Sequence, residues 1–391
     1  MIPKGFLFAS VEASIKHPHR KDLALIYSEV EANIAGTFTT NKVKAAPVRL
    51  DIRKIKSGIG QAIVINSGNA NACTGKRGMQ NAIEIANHIA NSLKIKPPLV
   101  YVCSTGVIGI PLPMEKIRVK IPKLANNIGK SKLEDVAKAI MTTDTFPKVV
   151  KKRIKVGNKT GTISGICKGA GMICPNMATM LCFLMTDIAV EQKTLYKTLR
   201  EAVKTSFNRI TVDGCQSTND TVFIMANGML GNPPIAKRSE IYSSFRKVLH
   251  EVTYKLAKLI VKDGEGATKL MEIEVKGARN EEEAEKAAFA VANSNLVKTA
   301  IYGNDPNWGR IMAAIGQSYI KMKEEKSDIY FGKVKVVNKG ISTGKYKEAE
   351  KFLKRKEIRI VIDLKFGRSS AKVLTCDLTE EYIKTNKAYR T

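Results

Sequence analysis

Strand-like and helix-like segments are intermixed along all 391 residues, which predicts an α+β fold of mixed sheets covered by helices in layers. Three observations carry that expectation. Apolar residues make up 44% of the chain, enough for a substantial core. The apolar pattern switches repeatedly between short continuous runs and a 3.6-residue period. No internal repeat, low-complexity linker or Pro/Gly/Ser-rich tract sets strands apart from helices.

Taken in order, the segment QAIVINSGNANACTG reads as a strand from Ala62 to Ile65 running into a Gly/Asn-rich loop. Ala82, Ile85, Ala86, Ile89 and Leu93 then share one face of a helix. LVYVCSTGVIG is a strand ending in a glycine turn, and KLEDVAKAIM is helical. RIKVGNKTGTISGI has the look of a hairpin turning near Gly157 and Asn158. TMLCFLMTDIAV is almost wholly apolar for seven residues and suits a buried strand. Leu195, Leu199 and Val203 mark a helix after it. Further strands are expected near 221–226, 270–275, 330–337, 357–364 and 371–376, and helices near 238–262 and 281–299.

Composition removes several function classes. No apolar run approaches the ~20 residues of a membrane span, and the N-terminal apolar stretch is too short for a signal peptide, so a soluble cytoplasmic protein is expected. Cys73, Cys103, Cys167, Cys174, Cys182, Cys215 and Cys376 are odd in number and form no C-x-x-C motif. His17, His19, His88 and His250 are scattered. Neither a disulfide framework nor a metal site is expected from them. A net charge of +29 raises nucleic acid as a partner. Against it stand an aromatic content of 6%, one tryptophan, and basic residues spread along the whole chain with no dedicated arm. The plainer readings are a Lys/Glu-rich surface and a field that attracts small anionic substrates.

The segment CKGAGMICPNMATMLCFLMTD, residues 167–187, carries the most specific signal. By composition alone it is a glycine-rich turn entering a core strand. Its run KGAGMICPNMATML, however, matches the pattern K-G-[SA]-G-M-I-x-P-N-M-A-T-M-L of the ornithine acetyltransferase family, also called glutamate N-acetyltransferases. Further segments resemble blocks of that family in the same order: TTNKVKAAPV, VINSGNANACTG, CSTGVIG, TTDTFPK, FNRITVDGCQSTNDT, KDGEGATK, YGNDPNWGRI and the terminal NKAYRT. Together they span nearly the full chain.

The resemblance implies a self-processed enzyme of the N-terminal-nucleophile type, cut between Ala178 and Thr179. An α chain, 1–178, and a β chain, 179–391, would share one structural core in an α2β2 heterotetramer. Residue chemistry gives the reason for such a cut. A threonine hydroxyl is a poor nucleophile at neutral pH, and an N-terminal threonine supplies its own base in its α-amine. That amine has a reference pKa of about 7.7–8.0, close to working pH. Thr179 is then the nucleophile that takes acetyl from N-acetyl-ornithine and passes it to glutamate, with acetyl-CoA left open as a further donor and no cofactor required.

By the same resemblance Thr105 and Gly106 form the oxyanion hole. Thr142, Lys168, Thr179, Glu265, Asn386 and Thr391 contact substrate, with Lys168 suited to an α-carboxylate and Glu265 to the δ-ammonium of ornithine. Each also has a plain reading, such as a glycine turn at Gly106 or a solvated carboxylate at Glu265. The run from Asn304 to Arg310 reads as a turn capping the apolar helix after it, with a contribution to the substrate pocket as the alternative. Cys174 and Cys182 flank Thr179 and are read as packing groups. Two other functions stay in view: a related amidohydrolase or aminopeptidase that passes the acyl group to water, and a nucleic-acid-binding protein suggested by charge alone.

Overall fold

A computed structural model describes residues 2–174 and 180–387. They form two compact units, one of residues 2–169, 180–208 and 216–260, the other of 170–174, 209–215 and 261–387.

The first unit is built on one eight-stranded sheet. Its strands are β1 (Phe6–Val11), β2 (Leu23–Phe38), β3 (Ile59–Asn69), β4 (Val100–Val107), β5 (Lys148–Val156), β6 (Lys159–Lys168), β7 (Leu181–Thr186) and β8 (Thr221–Ala226). They run in the order β4-β3-β2-β8-β7-β6-β5, with β1 paired to β2. The parallel pairs are β3 with β4 and β7 with β8. Strands from both sides of residue 178 thus lie side by side, β6 against β7 and β8 against β2.

Alternation along the strands gives each face its own core. One face gathers Ile26, Ile63, Ile65, Tyr101, Phe183 and Phe223 against Leu133, Val136 and Ile140. The helix there is α4 (Leu133–Ala139), and the helices before it in the chain are α1 (Ala46–Lys54), α2 (Gly75–Leu93) and α3 (Met114–Asn126). On the opposite face Leu25, Val64 and Val102 meet Ile85 and Ile89 of α2 and Ile117 and Ile121 of α3. Helix α5 (Gln192–Lys204) packs on β2. Helix α6 (Tyr242–Lys262) crosses β6, where a Cβ at Gly165 would lie 2.8 Å from Leu256 Cδ1.

The second unit has a six-stranded sheet in the order β12-β11-β10-β13-β9-β14. Its strands are β9 (Leu270–Ala278), β10 (Asp328–Phe331), β11 (Val334–Asn338), β12 (Ile341–Ser342), β13 (Glu357–Asp363) and β14 (Ser369–Cys376). The helices are α7 (Glu281–Ala292), α8 (Asn295–Tyr302), α9 (Trp308–Gly316), α10 (Tyr346–Leu353) and α11 (Glu380–Lys387). Ile273 and Val275 of β9 pack with Ala284, Ala288 and Val291 of α7.

The layered α+β class holds, with three local differences. The helix expected at 281–299 is broken into α7 and α8, because the Ser294 side chain accepts from the Val297 N–H and caps a new helix. The strand expected at 330–337 is a hairpin, β10 and β11, turning through Gly332 at φ 59°. The long β2 is read by neither period. Its middle residues, Glu29 to Glu31, are exposed where its pairing with β3 shifts between Tyr27 and Ala32. Among the described residues no helix is long and apolar enough to cross a membrane.

Candidate active site

The C-terminal end of β4 is held by its neighbours before any side chain acts on a ligand. Thr105 and Gly106 pair with Ser67 and Gly68 of β3. Asn219 donates through Nδ2 to the Ser104 carbonyl at 2.8 Å and to the Ala70 carbonyl at 2.7 Å, tying together the ends of both strands. Gly106 has φ 135°, a conformation that favours glycine, and a Cβ there would sit 2.2 Å from the Gly68 carbonyl carbon. The residue is glycine because backbone, not side chain, occupies the space beside it.

Lys168, at the end of β6, is buried. Its ammonium donates to Thr142 Oγ1 at 2.8 Å and to Thr105 Oγ1 at 3.3 Å. Lysine has three donors and no acceptor, so both hydroxyls accept from it and direct their own protons elsewhere. The arrangement can therefore offer two hydroxyl donors, polarised by one ammonium, to an oxygen carrying negative charge.

Behind this trio lies a carboxylate that sequence reading passed over. Asp144 Oδ1 accepts from Lys148 Nζ and from the Gly169 N–H, both at 2.7 Å, and Oδ2 accepts from the Thr142 N–H at 3.0 Å. The Asp144 and Lys148 side chains are both fully buried. Burial alone would raise the Asp144 pKa, but the Lys168 and Lys148 ammonium groups and the Gly169 N–H outweigh it and hold the carboxyl at about 2. A carboxyl lowered on folding contributes stability above its unfolded pKa and loses it as pH falls through the folded value. The window here runs from 3.8 down to about 2 and is worth about 2 kcal/mol. Wild type and an Asp144→Asn, Lys148→Met double variant should accordingly differ in acid sensitivity. Denaturant unfolding at about pH 5 and about pH 2 should show wild type losing about 2 kcal/mol more than the variant.

The chain re-enters the sheet at Met180. Its N–H donates to Asp220 Oδ1 at 2.9 Å, and its carbonyl accepts from the Thr221 N–H at 3.1 Å. Asp220 is completely buried. Burial pushes its carboxyl well up, beyond what the Met180 N–H, the Lys168 charge and the Ser217 and Thr39 hydroxyls draw back. Cys182, two residues on, is also fully buried, and burial pushes its thiol well above the ordinary value. Such a thiol stays protonated and suits packing, not attack.

In the second unit, Asn386 on α11 donates through Nδ2 to Glu265 Oε2 at 2.8 Å. Glu265 also donates its N–H to the Ala170 carbonyl, and its carboxylate lies over Gly171, where a Cβ would come within 2.3 Å of it. Asp213 holds the same turn by accepting from the Met172 N–H at 2.6 Å and the Ile173 N–H at 2.9 Å, while Tyr382 OH donates to it at 3.3 Å. The 304–310 run is a turn and cap: Asn307 accepts from the Arg310 N–H, and Trp308 Nε1 donates to Tyr346 OH at 2.9 Å.

Of the residues expected from sequence, Thr105, Gly106, Thr142 and Lys168 belong to the first unit, where Lys168 bonds both threonines. Glu265 and Asn386 belong to the second and bond each other. Ala178, Thr179 and Thr391 lie outside the described residues. Among the described residues no group of three or more His, Cys, Asp or Glu is placed to hold a metal ion. Sequence reading missed Asp144, Lys148 and Asp220, although all three stand inside the quoted TTDTFPK and FNRITVDGCQSTNDT blocks.

Comparison with known proteins gives a consistent result. A model of the ArgJ family matches residues 7–391. The arginine biosynthesis bifunctional protein ArgJ of Geobacter sulfurreducens is 53% identical over 390 residues, covering 99% of each chain. Its namesake in Caldanaerobacter subterraneus subsp. tengcongensis is 51% identical over 396 residues, covering 100% of this chain and 98% of the relative. The crystal structure of the arginine biosynthesis bifunctional protein argJ of Bacillus halodurans is 41% identical, with a TM-score of 0.52. That match covers 53% of this chain and 98% of the solved one.

Proposed function

This chain belongs to the ArgJ family, an acetyltransferase family of arginine biosynthesis, and we propose that it moves acetyl from N-acetyl-ornithine to glutamate through an ester on Thr179. The observation that carries the reading is the Lys168 ammonium bridging Thr105 and Thr142, since it polarises two hydroxyls beside a backbone that only glycine fits.

The chain first cuts itself. Thr179 Oγ attacks the Ala178 carbonyl, the peptide bond breaks, and the Thr179 amine is released while Ala178 is held as an ester. Water hydrolyses that ester, leaving Thr179 at a new N-terminus. In turnover the α-amine takes the Oγ proton as Oγ attacks the acetyl carbonyl of N-acetyl-ornithine. The Thr105 hydroxyl and the Gly106 N–H stabilise the oxyanion, each worth about 3–4 kcal/mol. The amide bond breaks and ornithine leaves with the proton. The glutamate amine then attacks the acetyl ester, giving N-acetyl-glutamate and free Thr179.

Lys168 and Thr142 suit the substrate α-carboxylate, and Glu265 suits the ornithine ammonium, with Asn386 and Thr391 supporting it. Asp220 is suited to fix the chain at Met180, whose N–H it binds. The working assembly on this reading has two copies each of 1–178 and 179–391.

Purified protein given N-acetyl-ornithine and glutamate should form ornithine and N-acetyl-glutamate in equal amounts. Acetate in place of N-acetyl-glutamate would mean an amidohydrolase instead. Glutamate acetylated from acetyl-CoA in a parallel reaction would add a second activity.

A further inference from the structure

Gly106, Gly171 and Gly266 are glycines for different reasons. Gly106 and Gly266 have φ 135° and 69°, and a Cβ on either would strike backbone, the Gly68 carbonyl carbon at 2.2 Å and the Tyr382 nitrogen at 2.5 Å. Gly171 has neither constraint. Its φ is not positive, unlike those of nearby Gly169 and Met172, so no left-handed conformation excludes alanine there. The nearest atoms to a Cβ at Gly171 would be Glu265 Cδ and Oε2 at 2.3 Å and Oε1 at 2.4 Å. All three belong to one carboxyl group, in a residue whose side chain the proposed reaction uses.

Only that carboxylate can give way. On one side the turn at Gly171 is pinned by Asp213, which accepts from the Met172 and Ile173 N–H groups at 2.6 and 2.9 Å. On the other side the Glu265 N–H donates to the Ala170 carbonyl at 2.9 Å, and Thr379 Oγ1 donates to the Gly266 carbonyl at 2.7 Å. Both backbones are therefore held, and the carboxylate between them accepts from Asn386 Nδ2 at 2.8 Å. Carbons in contact sit about 3.5–4.0 Å apart, so a methyl group on residue 171 would drive the carboxyl carbon back by more than about 1 Å. Such a shift breaks a hydrogen bond of ordinary length. All of these residues belong to the second unit.

We propose that Gly171 is a positioning residue for ammonium recognition: the side chain it lacks leaves the seat in which the Glu265 carboxylate lies against Asn386, set to receive the ornithine δ-ammonium. The inference rests on the assignment of Glu265 to that ammonium. It requires Gly171 to act only through Glu265, so that its effect vanishes once the carboxylate is gone.

The test compares wild type, Gly171→Ala, Glu265→Ala and the double variant. Steady-state kinetics gives KM for each substrate, and calorimetry gives ornithine binding without turnover. Gly171→Ala should raise KM for N-acetyl-ornithine by about 10-fold with kcat within about 3-fold of wild type. KM for glutamate, whose side chain carries no ammonium, should rise by less than about 3-fold. Glu265→Ala should raise KM for N-acetyl-ornithine at least as far, and adding Gly171→Ala to it should change that value by less than about 2-fold. A glycine needed for the turn itself predicts instead that both substrates suffer and that the two effects multiply. That result, or a Gly171→Ala KM unchanged while Glu265→Ala raises it, overturns the inference and leaves the ammonium assignment standing. A Glu265→Ala KM equal to wild type refutes the assignment and the inference with it. If Gly171→Ala does not fold, the double variant decides: it folds if the carboxylate was the obstacle, and its failure to fold overturns the inference. A wild type that binds ornithine yet transfers no acetyl group refutes the reaction, and the four ornithine affinities then decide in the same order. A wild type that binds no ornithine overturns both.

Discussion

Replacing Thr179 with alanine should leave one uncut chain of 43.0 kDa with no acetyl transfer. Two losses coincide in that variant. Without Oγ there is no attack on the Ala178 carbonyl, so no new N-terminus forms; without an N-terminal amine there is no base and no nucleophile for turnover. Removing a nucleophile of this kind costs on the order of 10⁴–10⁶ in kcat, so activity should fall below detection in an ordinary assay. Thr179→Ser separates the two roles. It keeps an oxygen nucleophile and should still be cut, with slower turnover. Gel mobility under denaturing conditions reads the cut, and ornithine release reads the transfer. A Thr179→Ala protein that is folded, uncut and active would remove Thr179 from the mechanism.

The second large effect is expected at Gly106. A methyl group there would lie 2.2 Å from the Gly68 carbonyl carbon and 2.4 Å from the Asn69 nitrogen. Both are backbone atoms of the paired strand, which cannot rotate aside as a side chain can. The backbone also has φ 135°, a conformation alanine resists. The end of β4 must therefore shift and carry the Gly106 N–H and the Thr105 hydroxyl with it. Loss of one oxyanion donor costs about 10²–10³ in kcat, and Gly106→Ala displaces two, so a fall of at least about 100-fold is expected. KM should change less, because Lys168 and Glu265 are not altered. Self-cleavage should slow as well, since attack on the Ala178 carbonyl passes through an oxyanion too. Activity within about 3-fold of wild type would mean that neither donor stabilises the transition state.

The elements that sequence disclosed are those whose signal is local. Gly157 and Asn158 turn the β5–β6 hairpin where a Gly-Asn pair belongs. The buried face of α2 carries Ala82, Ile85, Ala86 and Ile89 at helical spacing. The apolar run after Met180 is β7, buried along its whole length between two strands. What stayed hidden depends on contacts far apart in the chain. Asp144 and Lys148 stand in TTDTFPK, whose Thr, Asp and Pro look like a surface turn. Asp144 is met by the Gly169 N–H, 25 residues away, and Thr142 beside it by the Lys168 ammonium, 26 residues away. Asp220 sits among turn-forming residues in STND and becomes significant only when Met180 arrives beside it. The roles of Thr105 and Lys168 came from family resemblance, while their mutual hydrogen bond came from the fold.

Mass analysis of the denatured wild-type protein after brief exposure to N-acetyl-ornithine alone tests the acyl-threonine account most directly. The account predicts two chains, 1–178 and 179–391, the second heavier by one acetyl group, with fragmentation placing that group on Thr179. An intact, fully active chain would contradict the self-cleavage, and an acetyl group found on Cys174 or Cys182 would contradict the nucleophile.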